Sequence, residues 1–211
     1  MIFQSWEPLL EDTITLQESV YYTDAFYAEC RAYGRIKEEQ EKGRLKRSIA
    51  IPCHGYLLLQ EEDLQALRDR GVDLGEDDVD DEARQLLGCG QHARAIVKDI
   101  ASNDTGICAK NMRKVLADIR QLNKLKIYNK DIRSQNYRDG LLVDFGSSWT
   151  EPHRILDTLD EVDKLEAEAC RIEDLVNFDD MVEEEGIGTR VRALRNDDYC
   201  RKLRSRGRGS E

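Results

Sequence analysis

Three polar residues in the middle of the chain have the types and the spacing for phosphoryl transfer. Asn136 follows Asp131 after four intervening residues, and Asp144 opens an Asp-Phe-Gly triplet a little further along the chain. In that reaction one carboxylate accepts the proton of the attacking hydroxyl, while an amide oxygen and a second carboxylate hold Mg²⁺ against the phosphates. The pattern therefore predicts Asp131 as the base, and Asn136 and Asp144 as ligands of Mg²⁺.

The segment between Asn136 and Asp144 predicts the geometry that this chemistry needs. Residues 137–143 are typical of two short strands around Asp139-Gly140, a dipeptide that two-residue hairpins with positive φ favour. Such a hairpin brings both ends of the segment to one side, close enough to share a cation. The alternative is a surface hairpin with a chance Asp-Phe-Gly.

This combination resembles the catalytic signature of protein kinases. The resemblance implies a site for Mg and ATP, and a helix glutamate that pairs with the strand lysine holding the α- and β-phosphates. The candidate residues are Asp131 and Lys130 for catalysis, Glu29, Asn136, Asp144, Phe145 and Gly146 for the cofactor, and Asn136 and Asp144 for Mg.

The predicted elements follow the order of a kinase from its αC helix onward. Asp24 is a plausible N-cap for the first of these helices. Apolar residues that recur about every 3.6 positions predict the helices. The predicted elements are a helix at 24–40, strands at 49–52, 55–59 and 93–100, a helix at 109–126, and a long helix from about 150, with Pro152 in its first turn, to 176. His153 is expected at the surface near the start of that last helix.

The predicted fold class is α+β, a truncated protein-kinase-like fold that lacks the first strands of the N-lobe and much of the C-lobe. The partial domain spans 1–182, with a polar insertion at 60–92, and residues 183–211 form a polar tail that is basic at its C-terminal end. No glycine-rich loop or Val-Ala-Ile-Lys strand precedes Glu29, so its lysine partner is expected to be missing. Lys98 is instead expected at the adenine-contacting hinge.

Composition limits the partners and the compartment. A net charge of −11 argues against nucleic-acid affinity outside the basic segment 201–208. No apolar run is long enough for a membrane span, and residues 1–7 lack the features of a secretory signal. Six cysteines without such a signal predict reduced thiols and a nuclear or cytoplasmic location.

A narrower resemblance rests on three segments, residues 26–35, 131–145 and 149–153. They are similar to fungal kinase-like proteins assigned to the Fta-type subunits of the Sim4 kinetochore complex. The resemblance covers residues 6 to 182, and it implies a kinase-like fold, a fungal origin and protein partners in a kinetochore-type complex.

Three functions remain open on the sequence. The first is a pseudokinase or truncated kinase, in which the missing lysine strand, the replacement of His-Arg by Asn129-Lys130 and the short C-terminal part argue against phosphotransfer. The second is a non-catalytic interaction subunit of a fungal kinetochore complex. The third is a small-molecule phosphotransferase, since such enzymes share a short catalytic hairpin.

Overall fold

The computed structural model describes residues 14–72, 93–157, 159 and 161–194. Much of the predicted insertion and the basic segment 201–208 lie outside the described residues. The helices are α1 (Leu16–Thr23), α2 (Ala25–Glu41), α3 (Glu61–Arg68), α4 (Met112–Lys124), α5 (Arg154–Asp157), α6 (Glu161–Cys170) and α7 (Glu173–Glu184). The strands are β1 (Cys53–Leu59), β2 (Ala93–Lys98), β3 (Ile127–Tyr128), β4 (Tyr137–Arg138), β5 (Leu141–Leu142) and β6 (Trp149–Thr150).

Helix α2 begins where its cap residue predicts. The carboxylate of Asp24 accepts a hydrogen bond from the Phe26 N–H at 2.9 Å, which satisfies one of the free donors at the helix start. One face of α2 is buried through Ala28, Ala32 and Ile36. The predicted helix at 24–40 is therefore confirmed.

Strands β1 and β2 form an antiparallel pair in which Cys53 lies opposite Lys98 and Leu59 opposite Ala93. The predicted strand at 93–100 ends at Lys98, and Ile100 beyond it is fully exposed. Residues 49–52 are not a strand of this sheet. They bind the hairpin instead, since the Ile51 N–H donates to Leu142 O at 2.9 Å.

Helix α4 lies in the middle of the core. Its stripe of Met112, Val115, Ile119 and Leu122 is completely buried. The same apolar cluster includes residues of α2, of the hairpin β4–β5 and of α7. Helix α4 therefore shares one core with elements that lie before and after it in the chain. The predicted helix at 109–126 is confirmed, although it begins three residues later, at Met112, and ends two residues earlier, at Lys124.

The single long helix predicted from about 150 to 176 is wrong. Thr150 pairs with Ile127 in a two-stranded sheet, and the chain enters helix α5 only at Arg154. Helices α5, α6 and α7 follow as separate elements, and Leu165 of the predicted stripe is 72% exposed. Apolar residues on successive short helices had the spacing of one continuous stripe.

Candidate functional site

The predicted hairpin is present at the centre of the site. Asp139 and Gly140 both have positive φ, 52° and 73°, and the flanking strands β4 and β5 pair in antiparallel register. The Val143 N–H then donates to Asn136 O at 3.0 Å. Asp144 directly follows Val143, the residue that this bond joins to Asn136. The two predicted metal ligands therefore lie at the same end of the hairpin.

A neighbouring loop holds the hairpin turn from outside. The backbone N–H groups of Asp139 and Gly140 donate to Asp104 O and Thr105 O, both at 2.9 Å. At Gly106, with φ of 67°, an added Cβ would lie 2.4 Å from Gly140 N. The loop therefore needs glycine at this position because the two backbones touch.

Asn136 fixes the predicted base. Its Nδ2 donates to both Asp131 O and Asp131 Oδ2 at 2.9 Å, which leaves the Asn136 amide oxygen as the atom that could face a cation. The Arg133 guanidinium also lies 2.9 Å from Asp131 Oδ2. Asp131 is thus held in place and its charge is compensated within the chain.

A buried carboxylate from α7 supports the loop that carries Asp131. Asp174 is completely buried and accepts the backbone N–H groups of Asn129 at 3.0 Å and Lys130 at 2.6 Å. Burial raises the pKa of Asp174 to about 6, against these hydrogen bonds, which lower it. The sequence alone does not indicate Asp174, because it is one of many acids in the C-terminal helices and nothing local distinguishes it.

Asn129 connects this loop to the Asp-Phe-Gly segment. Its Nδ2 donates to Asp144 O at 2.7 Å, and its Oδ1 accepts the Asp131 N–H at 3.0 Å. Asn129 is completely buried. Asn129, the first residue of the Asn129-Lys130 pair that replaces the His-Arg of kinases, therefore has a structural role, joining the backbones of Asp131 and Asp144.

Glu29 has a lysine partner, contrary to expectation. The Lys98 ammonium donates to Glu29 Oε1 and, at 2.6 Å, to Val143 O. Both side chains are mostly buried, at 24% and 13% exposure. Burial raises the pKa of Glu29, the Lys98 charge opposes that change, and the nearby Asp144 charge adds to it. Lys98 is therefore bound to the helix glutamate, and its predicted place at a hinge is not what the contacts show.

Phe145 and Gly146 position Asp144. The Phe145 ring is completely buried and packs edge-on against Tyr33, with ring centroids 5.2 Å apart. The Gly146 N–H donates to Asp144 Oδ1 at 2.7 Å. The triplet thus anchors one carboxylate beside the Lys98–Glu29 pair.

Lys130 and His153 differ from their expected settings. Lys130 has a positive φ of 66°, and its ammonium lies 3.7 Å from the centre of the Trp149 ring, a cation–π contact. His153 is buried instead of exposed, with its ring 4.6 Å from that of Tyr22. Burial lowers the pKa of His153 to about 4, so the ring is neutral near pH 7.

The donor atoms at this site suit magnesium with a phosphate ligand. Asp144 and Asn136 offer a carboxylate and an amide oxygen, the hard donors that Mg²⁺ prefers. Among the described residues, no group of three or more His, Cys, Asp or Glu side chains could hold a metal ion. Since Mg²⁺ commonly uses one or two carboxylates together with substrate phosphates, the residues fit a magnesium–nucleotide complex better than a bare ion.

The described part of the chain is thus α+β, and it contains a polar site in which a lysine, several carboxylates and an amide gather around a short hairpin. The model of one family, described as "Kinetochore Sim4 complex subunit FTA2", matches residues 2–149. The chain therefore belongs to this family. No curated protein and no solved structure matches the chain significantly.

Family membership confirms the expected Fta-type assignment. A kinetochore complex subunit agrees with the expected protein partners, and with the nuclear part of the expected location. In the described part of the chain, no helix has the length and apolar character to cross a membrane. The kinase-like frame and its magnesium and ATP ligands stay predictions.

Proposed function

We propose that the chain is a non-catalytic interaction subunit of a kinetochore complex. The observation that carries the proposal is the family match over residues 2–149, which includes all the site residues predicted from the sequence and both strands of the β1–β2 sheet. A subunit of a complex needs protein-binding surfaces, and it needs no chemistry at its polar site.

The polar site supports this proposal because two of its carboxylates, Glu29 and Asp131, are compensated by cations of the same chain. Lys98 binds Glu29, and Arg133 binds Asp131. Asn129 and Asp174 hold the surrounding backbone. A network whose members satisfy one another stabilises the fold without any ligand.

The sheet offers a surface of the required kind. On β1, Tyr56, Leu57 and Leu58 are each more than half exposed. Neighbouring apolar side chains at the surface commonly mark a protein contact. We therefore place one partner contact on β1.

The test is recovery of the complex from a fungal extract. The tagged full chain should co-purify other kinetochore subunits, and the site variant Asp131→Asn/Asp144→Asn should recover them within about twofold of the wild-type amount, because these substitutions leave the exposed side chains of β1 unchanged. Leu57→Ser/Leu58→Ser should reduce the recovery several-fold.

Recovery of the chain alone would contradict the proposal. Loss of the complex with the site variant, but not with the β1 variant, would assign the partner contact to the polar site instead. Val72→Ser, which alters a different exposed apolar residue, is the control for general effects of surface polarity.

A second proposal is that the chain has a kinase-like frame and binds Mg²⁺–ATP. It is favoured by the Lys98–Glu29 pair beside Asp144, the pairing that kinases use to hold the nucleotide phosphates. Of the three N–H donors of the Lys98 ammonium, two bind Glu29 and Val143 O, so one remains for a phosphate oxygen. Asn136 and Asp144 would hold the metal, whose charge would offset that of the phosphates.

This second proposal predicts ligand-dependent stabilisation. At Mg²⁺–ATP concentrations about tenfold above the dissociation constant, binding adds about 1.4 kcal/mol to the free energy of unfolding. For a chain of this size the melting temperature should rise by about 3 °C. Asp144→Asn should abolish the rise while keeping an oxygen for the Gly146 N–H, and Mg²⁺ alone should have little effect.

The exposed acid Asp157 supplies the matched control, since Asp157→Asn removes the same charge away from the hairpin. An unchanged melting temperature at millimolar Mg²⁺–ATP would refute nucleotide binding and leave the interaction proposal intact. The small-molecule phosphotransferase alternative needs the same nucleotide, so it would be refuted with it.

A further inference from the structure

A basic groove lies on the opposite side of α4 from the core. It encloses about 800 Å³ between the helix and the segment 189–192. Its cationic residues are Lys110, Arg113, Arg120, Lys124, Arg190 and Arg192, all of them exposed. Among the residues that the structure describes, no carboxylate lines the groove, although the chain as a whole has a net charge of −11.

The walls of the groove are fixed by the fold. Asp179 accepts the backbone N–H groups of Ala193 at 2.6 Å and Leu194 at 2.9 Å, and Arg120 donates to Ala193 O at 3.2 Å. Ala193 belongs to the main apolar core. The segment that carries Arg190 and Arg192 is therefore held against α4.

The acid of α4 faces elsewhere. Asp118 is buried and binds Arg47 and Lys114, neither of which lines the groove. Asp118 therefore does not neutralise the cations of the groove, and the low polarity of the groove walls strengthens their positive potential. Leu116, Ala117 and Val191 also line the groove, so cations stand beside an apolar floor.

We infer that the basic groove docks an acidic polypeptide segment of a partner subunit, an inference that rests on the proposed role as an interaction subunit. A short acidic segment matches the cations, and its apolar side chains can contact the floor. A long nucleic acid would also experience repulsion from the acidic remainder of the surface, which disfavours it. From Arg113 to Lys124 the helix advances about 16 Å, the length of about five extended residues.

The experiment uses the full chain and a fluorescein-labelled ten-residue peptide of Glu and Asp with two Leu. We expect saturable binding by fluorescence anisotropy, weakened by added salt and absent for the peptide with Gln and Asn in place of its acids. Arg113→Glu/Lys124→Glu should weaken binding at least tenfold. The matched control Lys46→Glu/Arg70→Glu, which changes the net charge equally outside the groove, should change it less than twofold.

Equal weakening by both double variants, with unchanged melting temperatures, would overturn the inference. So would groove-dependent binding of a labelled DNA duplex without binding of the peptide. Tenfold tighter peptide binding after replacing the acids of 76–82 with Asn and Gln would show that the chain's own acidic segment is the occupant. Because the assay needs no complex, its failure is separate from a failed co-purification.

Discussion

We expect Asp174→Ala to lower the free energy of unfolding by about 3 kcal/mol at pH 7, because each buried donor left without a partner costs about 1–3 kcal/mol. The substitution leaves the backbone N–H groups of Asn129 and Lys130 without an acceptor. It also frees the loop that carries Asp131, so the whole polar site should lose its order. Urea unfolding measures the change.

The matched control is Asp179→Ala. Asp179 also accepts two backbone N–H groups, but its side chain is only partly buried, and water can replace it. We expect a loss of about 1 kcal/mol there. Equal losses for the two variants would refute the role given to the burial of Asp174.

The same residue predicts a pH dependence. The pKa of Asp174 is raised to about 6 in the folded chain, above its ordinary value of 3.8, so the folded state binds the proton more tightly. The part of the stability that comes from this tighter proton binding is fully present below about pH 4 and is lost as the pH rises through about 6, whereas the hydrogen bonds to the Asn129 and Lys130 N–H groups remain at pH 7. Asp174→Asn, which cannot ionise, should remove this decline, and an identical pH profile for the two proteins would contradict the assignment.

We expect Lys98→Met to lower the free energy of unfolding by about 2–3 kcal/mol, at or below the roughly 3 kcal/mol minimum for removing one partner of a fully buried ion pair, since both side chains keep some exposure. Methionine fills much of the same volume, so the loss reports the missing charge. Glu29 would remain buried without its cation, and Val143 O would lose a donor. Urea unfolding again gives the measurement.

The double variant Lys98→Met/Glu29→Gln should regain at least half of that loss, because the uncompensated carboxylate is gone. The exposed pair of Lys42 and Glu38 is the surface control, and Lys42→Met should change stability little. If the double variant lost as much stability as Lys98→Met and Glu29→Gln together, each measured alone, the pair would not be coupled.

Local sequence determined the elements whose signals lie within a few residues. Asp24 sets the start of α2, the stripe of α4 sets its buried face, and Asp139-Gly140 sets the hairpin turn. Each depends on capping, helical periodicity or positive φ, which act over one turn of chain. Similarity of residues over longer segments also gave the Fta-type family, which the family match confirms.

Only the tertiary structure decided which distant groups meet. Lys98 and Glu29 are 69 residues apart, and Asp174 lies 45 residues from Asn129. The basic groove likewise joins α4 to a segment beyond α7. Such contacts depend on how helices and sheets pack, and no local propensity encodes them. For the same reason the apolar spacing after residue 150 suggested one helix, where pairing of β6 with β3 and separate packing of short helices prevailed.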